Sequence, residues 1–481
     1  MDKFRSIART CLASLLLALP TVAPAQQAPD YDVLIRGGRV LDGTGMPWRY
    51  ADVAIRGERI VAVGPIPATA TAARVIDATG RYVTPGFIDP HSHAVPGIST
   101  PELAAAVPIL YQGITTVMIN PDGGGPADLK PLLGAIEKNG PGVNVVPTIG
   151  HNGVRTAVMG RANRAPTAEE LQRMKDYVRT GMEDGAFGFS SGPFYVPGKY
   201  SDTAELIALA KVAAEYPGAF HTSHVRDESS YDVTVVGAVK ELIEISRQAR
   251  LPGIVTHIKA LGPTVWGKSA EVIDIINAAR AEGLEIWADQ YAYAASGSGL
   301  QPSLVPGWAQ EGGQEAMAKR LREIARERLE DPLDTAIEML INGGAPIISF
   351  NMNEKDVEAF MKQPWTMTCT DGGLVAFGDG AEHPRAYGAF PRKIRRYVME
   401  RGVVTLEQAI HSSTGLTATV LGIEDRGFLR PGAFADRWRD LQEVVGALGF
   451  GHERPQAVDH GSRRLEQVVG GQIEGIAFEV A

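Results

Sequence analysis

The feature that most constrains the fold is a regular alternation of short apolar runs with longer amphipathic stretches, which begins after Pro85. Alternation of this kind is typical of repeated β/α units whose strands form one parallel sheet. The stretches at 167–180, 202–215, 232–249 and 269–282 are predicted helices. Strands are predicted at 87–91, 115–119, 143–149, 186–190, 219–223, 253–256, 285–288 and 366–370. Eight such units predict an α/β protein with a closed (β/α)8 TIM-type barrel.

The segments around the barrel have a different pattern. Residues 26–84 alternate β-type runs with glycine turns, which predicts the N-terminal part of a small β-sandwich. The barrel is expected to span 85–422 and to carry an inserted lid subdomain at about 301–363, with a helix near 314–329. Residues 423–481 combine a sandwich remnant with an Arg- and Gly-rich tail. Because this tail lacks apolar strands after Asp436, we expect it to add little ordered core and to leave the protein with low thermal stability.

The first 25 residues have the three parts of a secretory signal peptide. Lys3, Arg5 and Arg9 precede an apolar stretch at 12–19, and Ala23-Pro24-Ala25 fits a cleavage site before Gln26. The apolar stretch is too short to span a bilayer. We therefore expect removal of residues 1–25, export to the periplasm or the medium, and no membrane span.

Charge and cysteine usage exclude two classes of protein. The chain carries a formal net charge of −9, so it has no basic excess with which to bind nucleic acid. Cys369 is the single cysteine outside the predicted signal peptide, so the mature chain is expected to contain no internal disulfide. A small-molecule partner is therefore the expectation, and the sequence does not indicate an oligomeric state.

Histidine and aspartate follow the predicted strands at the points where a barrel of this type holds its chemistry. His91 and His93 follow the first strand, and residues two apart in an extended chain share a face. Imidazole and carboxylate groups together are ligands suited to Zn²⁺ or a similar divalent ion. The other such residues at strand ends are Asp122, His151, His224, His257, Asp289 and Asp371.

Three sequence segments carry a resemblance to a known family: PGFIDPHSH (85–93), TSHVRDE (222–228) and PWTMTCTDGG (364–373). On these segments the chain resembles the amidohydrolase superfamily and, within it, the N-acyl-D-amino-acid deacylases, or D-aminoacylases. The resemblance covers roughly residues 31–436. It implies a zinc-dependent hydrolase of linear amide bonds that holds one or two zinc ions.

The resemblance also implies roles for individual metal-site residues. His91 and His93 match the pair at one metal position, and His224 and His257 match the pair at the other. Asp122 stands where many D-aminoacylases carry a ligand cysteine, so the number of metal ions in this chain is left open.

Further matches concern catalysis and the substrate. Asp371 matches the catalytic aspartate, which accepts a proton from water and delivers it to the departing amine. The expected substrate-binding residues, mainly for the α-carboxylate, are Lys259, Tyr291, Ser296, Arg385 and Tyr195. His151 is assigned either behind the metal ligands or facing the substrate, and the motif Arg226-Asp227-Glu228 is taken as structural.

Three functions compete at this stage. The first is removal of an N-acyl group, or an N-terminal L-residue, from a neutral D-amino acid. The second is cyclic-amide hydrolysis of the hydantoinase or dihydroorotase kind, whose enzymes usually bridge two metals with a lysine on strand four. Residues 185–191 contain no lysine, which weighs against it. The third is an inactive binding protein on the same fold, which the retained histidines and Asp371 disfavour.

The expected preference for a neutral substrate rests on the loop after the seventh strand. Acidic-specific relatives place a basic residue near the position of Leu304. An apolar side chain cannot pair with a second, buried carboxylate, and leaving that carboxylate unpaired is costly. The sequence therefore predicts small or hydrophobic D-residues rather than D-Asp or D-Glu.

Overall fold

The structure is a computed structural model of the full chain. It describes residues 28–305, 310–311, 317, 319, 323, 337–338, 340–343, 346–376, 383–436 and 479–480. The predicted signal peptide, the predicted helix at 314–329 and most of the tail lie outside the described residues or are covered only at isolated positions.

Eight parallel strands form the central barrel, as predicted. They follow chain order around the barrel, and every neighbouring pair is parallel. They are β6 (Phe87–Asp89), β7 (Ile114–Ile119), β8 (Asn144–Gly150), β9 (Gly188–Ser191), β10 (Phe220–Ser223), β11 (Gly253–Val255), β12 (Ile286–Gln290) and β15 (Thr366–Thr368).

The first and last barrel strands meet beyond their carboxyl ends. His93 N donates to Gly372 O at 2.9 Å, and Asp371 N donates to His91 O at 2.9 Å. These bonds join the loops that carry the predicted metal ligands, so the same contacts close the barrel and hold this part of the site together. Six of the eight barrel strands contribute buried apolar side chains to one cluster: Ile88, Met118, Val146, Phe220, Ile254 and Met367.

Helices pack around the barrel, and their ends follow local sequence signals. Thr167 and Glu170 form a reciprocal capping box at the start of α4, and the Asp202 side chain caps the start of α5. Helices in the described ranges are α1 (Val107–Leu110), α2 (Lys130–Asn139), α3 (His151–Met159), α4 (Ala168–Glu183), α5 (Thr203–Ala213), α6 (Thr234–Ala249), α7 (Ser269–Ala281), α8 (Leu300–Leu304), α9 (Glu354–Met361), α10 (Arg385–Arg392), α11 (Leu406–Ser413) and α12 (Gly415–Val420), with 3₁₀ turns at Gly97–Ser99 and Gly198–Tyr200 and a π-helical stretch at Lys393–Glu400.

A separate sheet precedes the barrel. It contains β1 (Tyr31–Val40), β2 (Arg49–Arg56), β3 (Arg59–Gly64), β4 (Ala72–Asp77), β5 (Tyr82–Thr84) and β16 (Glu479–Val480). β1 pairs with β2 in antiparallel fashion and with β4 and β5 in parallel fashion. The chain returns to the sheet after the barrel, where Ile60 N donates to Ala433 O at 2.9 Å. The described residues form one sheet of the predicted sandwich.

The tail is represented by the short strand β16, which pairs in parallel with β5. The prediction that the tail adds little ordered structure can thus be compared with the structure only at Glu479–Val480, where a strand forms. Residues 437–478 lie outside the described residues.

The predicted insertion leaves the barrel through an antiparallel ribbon of β13 (Ser296–Gly299) and β14 (Pro346–Ser349). α9, which the sequence assigned to the insertion, packs with the barrel instead. The Asp356 carboxylate of α9 accepts a hydrogen bond from Gly267 N at 2.9 Å, and Phe360 and Trp365 pack with α7 residues. No helix in the described part of the chain is both long and apolar enough to cross a bilayer.

Candidate metal centre and active site

A cavity of about 640 Å³ opens at the carboxyl ends of the barrel strands. It lies between the loops that follow these strands and the β13–β14 ribbon. The predicted residues that line it are His93, Asp122, Tyr195, His224, His257, Lys259, Ser296, Asp371 and Arg385. One site therefore collects side chains that are spread over almost 300 positions of the sequence.

The Asp122 carboxylate lies at the centre of the four predicted metal-binding histidines. Its Oδ1 is 3.5 Å from His91 Nε2, 3.5 Å from His257 Nε2 and 3.7 Å from His224 Nδ1. Its Oδ2 is 3.4 Å from His93 Nε2. The carboxylate thus faces both histidine pairs at once, as a ligand shared between two metal positions would.

Close backbone packing fixes the loop that carries Asp122. A Cβ atom added to Gly150 would lie 1.8 Å from Gly124 O, and one added to Gly192 would lie 2.0 Å from Asp122 O. Gly123 N also donates to Ser190 Oγ at 2.8 Å. Glycine is required at these two contacts because no side chain fits between the loop and the neighbouring strand ends.

Asp371, in the loop after the last strand, faces the first histidine pair. Its Oδ1 is 3.2 Å from His93 Nε2 and 3.5 Å from His91 Nε2, while its Oδ2 accepts a hydrogen bond from Arg385 at 2.5 Å. Burial opposes ionisation, but Arg385 and His257 outweigh it and hold the pKa of Asp371 well below its usual range. Asp371 is therefore a carboxylate at neutral pH.

Three of these residues have left-handed backbone conformations. The φ angles are 57° at Asp122, 34° at His257 and 50° at Asp371. Such angles are uncommon for residues with a Cβ, although aspartate and histidine adopt them more often than most other residues do. Strain of this kind is tolerated where the surrounding structure fixes a functional side chain.

Two buried aspartates beneath the site hold the histidine backbone. Asp89 Oδ1 accepts from His91 N at 3.1 Å, and Asp289 Oδ1 accepts from His257 N at 2.7 Å. Asp289 Oδ1 is also 4.0 Å from His91 Nδ1. Each aspartate comes from a barrel strand, so the rigid sheet positions the ligands.

The donor set fits a divalent ion. Both ring nitrogens of His91, both of His224 and Oδ1 of Asp122 are buried without a hydrogen-bond partner. Buried polar atoms normally have partners, so these atoms indicate a missing ligand. Two ligand atoms on a tetrahedral zinc ion lie about 3.4 Å apart, given metal–nitrogen bonds near 2.1 Å. The separations of 3.2–3.7 Å described above match that spacing.

The charges of the site also favour a cation. Burial disfavours a charged imidazole, yet hydrogen bonds to Asp122 and Asp371 raise the pKa of His93 to about 9. Burial and Lys259 likewise oppose protonation of His257, but Asp371 and Glu228 raise its pKa to about 10. The carboxylates thus hold positive charge in the site, and a metal ion supplies it in place of the protons.

Glu228 is a site residue that the sequence analysis missed. Its carboxylate accepts a hydrogen bond from Lys259 Nζ at 2.6 Å and lies 3.0 Å from His257 Nδ1. Its two neighbours are structural, as expected: Arg226 pairs with Glu241 at 2.8 Å, and Asp227 accepts backbone N–H bonds from the following loop. A carboxylate four residues after a ligand histidine was the available signal.

The predicted substrate-binding residues divide into two groups. Tyr195 and Ser296 line the cavity, and the Tyr195 ring lies 4.6 Å from that of His224. Lys259 and Arg385 also line it, but each is paired with a site carboxylate. Tyr291 is not among the lining residues. Its ring packs 5.7 Å from Lys259 and 5.0 Å from Arg385, so it supports both cations from behind.

His151 is placed away from the cavity. It begins α3, and its Nε2 lies 2.8 Å from Glu205 Oε1 of α5 in a fully buried cluster that also contains Arg155. The substrate-facing assignment of His151 is therefore wrong for this structure. The helix turns its side chain toward the layer between barrel and helices, where it satisfies a buried carboxylate.

Comparisons with known proteins agree with this geometry. A sequence profile of the amidohydrolase family matches residues 104–436. The chain is 37% identical to N-acyl-D-glutamate deacylase of Alcaligenes xylosoxydans xylosoxydans, across 84% of this chain and 86% of that protein. It is 33% identical to the D-aminoacylase of the same organism, across 84% and 87% of the two chains.

A solved structure gives the same result in three dimensions. The crystal structure of N-acyl-D-glutamate deacylase from Bordetella bronchiseptica, complexed with zinc and a phosphonate mimic of the tetrahedral intermediate, superimposes with a TM-score of 0.71. The match covers 84% of this chain and 89% of that one, at 35% identity.

Proposed function

Because the chain belongs to the amidohydrolase family, we propose that it is a zinc-dependent enzyme that removes an N-acyl group, or an N-terminal L-residue, from a neutral D-amino acid. The observation that carries the proposal is the convergence of four histidines and three carboxylates beside two cationic side chains at one cavity. One named relative is an N-acyl-D-glutamate deacylase and another is a D-aminoacylase, which supports the linear amide and the D-configuration.

The residues that would hold zinc are His91, His93, His224 and His257, with Asp122 shared between them. When bound, a divalent ion acidifies a water molecule and polarises an amide carbonyl. We assign proton transfer to Asp371, which is ionised and buried. Its Oδ2 is held by Arg385, so its Oδ1 faces the histidines and the cavity.

The proton on Asp371 has a natural destination. An amide nitrogen leaves poorly until it is protonated, so the carboxyl group that accepts the proton from water then donates it to that nitrogen. General acid–base catalysis of this kind contributes about 10²- to 10⁴-fold to the rate. Arg385 holds the carboxylate in place during both steps, because its guanidinium also donates to Gly297 O at 3.1 Å and is thereby anchored to the ribbon.

Binding of the product-side carboxylate falls to the cations of the cavity wall. A substrate amino acid carries one α-carboxylate. Among the described lining residues, the lysine and arginine side chains that could bind it are those of Lys259 and Arg385. A guanidinium has five donors, of which the bonds to Asp371 and Gly297 use two, so Arg385 retains donors for a substrate carboxylate.

The proposed preference for a neutral side chain rests on the same cavity-lining residues. Both cations already face site carboxylates, and the described lining residues offer no further lysine or arginine for a second substrate carboxylate. The remaining described wall includes the apolar side chains of Phe194, Leu261 and Ile347. The side chain of Leu304, on which the sequence argument rested, lies outside the described residues.

The cyclic-amide alternative finds no support in this site. β9 carries glycine, phenylalanine and serine, so it offers no lysine to bridge two metals. Asp122 occupies the central position instead. We further propose that the protein acts after export, as the pattern of its first 25 residues suggests.

The experiment is a comparison of kcat/KM for N-acetyl-D-leucine, N-acetyl-D-glutamate and N-acetyl-L-leucine on zinc-loaded protein. We expect the first substrate to be preferred over both others. A preference for the glutamate derivative would overturn the neutral pocket, and a preference for the L-isomer would overturn the proposed stereochemistry. Hydrolysis of dihydrouracil or hydantoin in place of all three would favour the cyclic-amide alternative.

A further inference from the structure

Glu228 lines the cavity beside the metal ligands, on the side of His224 and His257 that faces away from Asp122. His257 directs Nε2 toward Asp122 at 3.5 Å and Nδ1 toward Glu228 at 3.0 Å. His224 directs Nδ1 toward Asp122 at 3.7 Å and Nε2 toward Glu228 at 3.6 Å. Each of the two imidazoles thus lies between the Asp122 carboxylate on one side and the Glu228 carboxylate on the other.

Glu228 also anchors the lysine of the substrate wall. Lys259 Nζ is 2.6 Å from Glu228 Oε1 and 2.7 Å from His257 Nδ1. Lys259 and His257 lie two residues apart in the loop after β11, and the contact between Nζ and Nδ1 places both side chains on one side of that loop. The ammonium lies directly against a metal ligand, and without the Glu228 carboxylate beside both groups its buried charge would lose its ion-pair partner.

Contacts of the neighbouring residues and of its own backbone hold Glu228 in this position. Arg226 and Asp227 direct their side chains away from the cavity, into contacts with α6 and the loop before it. Glu228 O accepts a hydrogen bond from Leu261 N at 2.8 Å, which ties the loop after β10 to the loop after β11. The Glu228 side chain is 5% exposed, so its position is not that of a surface charge.

We propose that Glu228 is a positioning residue that couples the metal centre to substrate recognition, and this inference rests on the proposed function. One oxygen, Oε1, orients His257 and fixes Lys259. Lys259 can only donate and also lies 2.7 Å from His257 Nδ1, so the shared acceptor Oε1 allows Nδ1 to keep its hydrogen and leaves the His257 lone pair on Nε2, which faces the metal position. The same carboxylate holds the Lys259 ammonium where a substrate carboxylate would meet it.

The test is Glu228→Gln, which keeps the size of the side chain and removes its charge. Partners of this kind contribute about 10- to 100-fold to metal affinity. We expect zinc affinity, measured by competition with a chromophoric chelator, to fall by that factor, and KM for N-acetyl-D-leucine to rise. In Lys259→Met, KM should rise while zinc affinity falls less than in Glu228→Gln. Adding Glu228→Gln to Lys259→Met should raise KM little further.

The matched control is Glu241→Gln, which breaks the neighbouring buried pair with Arg226 outside the cavity. It should lower the melting temperature while leaving zinc affinity and KM at wild-type values. Wild-type zinc affinity in folded Glu228→Gln, or an equal loss in the control, would overturn the proposal. Because zinc affinity is measured without substrate, a failure of the proposed hydrolysis would leave this result interpretable on its own.

Discussion

Replacing Asp371 with asparagine isolates its role as the proton carrier. Asn keeps the shape of the side chain and, like Asp, tolerates the left-handed backbone at φ 50°, so the closure of the barrel should survive. The amide can still accept the hydrogen bond from Arg385 through its oxygen, but it cannot take up a proton at neutral pH. The variant therefore removes the chemistry of Asp371 while keeping most of its contacts.

The expected magnitude follows from the other carboxylates of the site. Glu228 faces Lys259 and the outer side of His257, and Asp122 is surrounded by imidazoles, so neither is free to replace Asp371. We therefore expect kcat to fall by the full general acid–base contribution of about 10²- to 10⁴-fold. Each tenfold corresponds to about 1.4 kcal/mol, so the barrier rises by roughly 3–5 kcal/mol.

The assay is steady-state release of D-leucine from N-acetyl-D-leucine, with zinc content measured on the same sample. Asp425→Asn is the control, because Asp425 pairs with Arg59 at the surface of the small sheet and should leave kcat unchanged. A zinc-loaded Asp371→Asn variant whose kcat stays within about tenfold of wild type would refute the assignment.

Three further predictions test other parts of the structure. His257→Ala should lose much of the bound zinc, as elemental analysis can measure, because it removes an imidazole shared by both candidate ligand groups; full retention would contradict the site. The buried Lys393 ammonium donates to the hydroxyl groups of Thr368 and Ser412, and burial lowers its pKa to about 7. Since unfolding restores the normal pKa near 10.4, the unfolded state binds more protons between these values, and the stability of wild type relative to Lys393→Met should increase as pH rises from about 7 to 10. Denaturant melts that show a constant difference across this range would contradict the burial of that charge. Mass spectrometry of the exported protein should find an N-terminus near Gln26, and an intact Met1 would contradict the signal peptide.

Much of the barrel could be predicted because its signals are local. Most strands lie in short, mainly apolar runs, and each of the four predicted helices carries an amphipathic pattern, so their positions follow from the sequence to within a few residues. The ribbon could not be predicted in this way. β13 is Ser-Gly-Ser-Gly, which has little strand propensity, and its partner Pro346–Ser349 lies about fifty positions further along the chain.

The candidate site was predictable where a side chain follows a strand directly, as His91, His257 and Asp371 do. The same rule misassigned His151, because it places a residue at the rim without giving the direction of its side chain. A helix begins at His151 and turns the ring toward Glu205. Glu228 was missed because it lies five residues after the end of β10, within a loop rather than at a strand end. Only the fold brings it against Lys259, which follows the next strand.

The most direct test of the central claim is a zinc titration of chelator-stripped protein, followed by the rate of N-acetyl-D-leucine hydrolysis. The site described here predicts a stripped protein without measurable activity and a rate that is restored and saturates when one or two equivalents of zinc have been added. Full hydrolysis by the stripped protein, at the rate of the untreated enzyme, would contradict a metal-dependent deacylase.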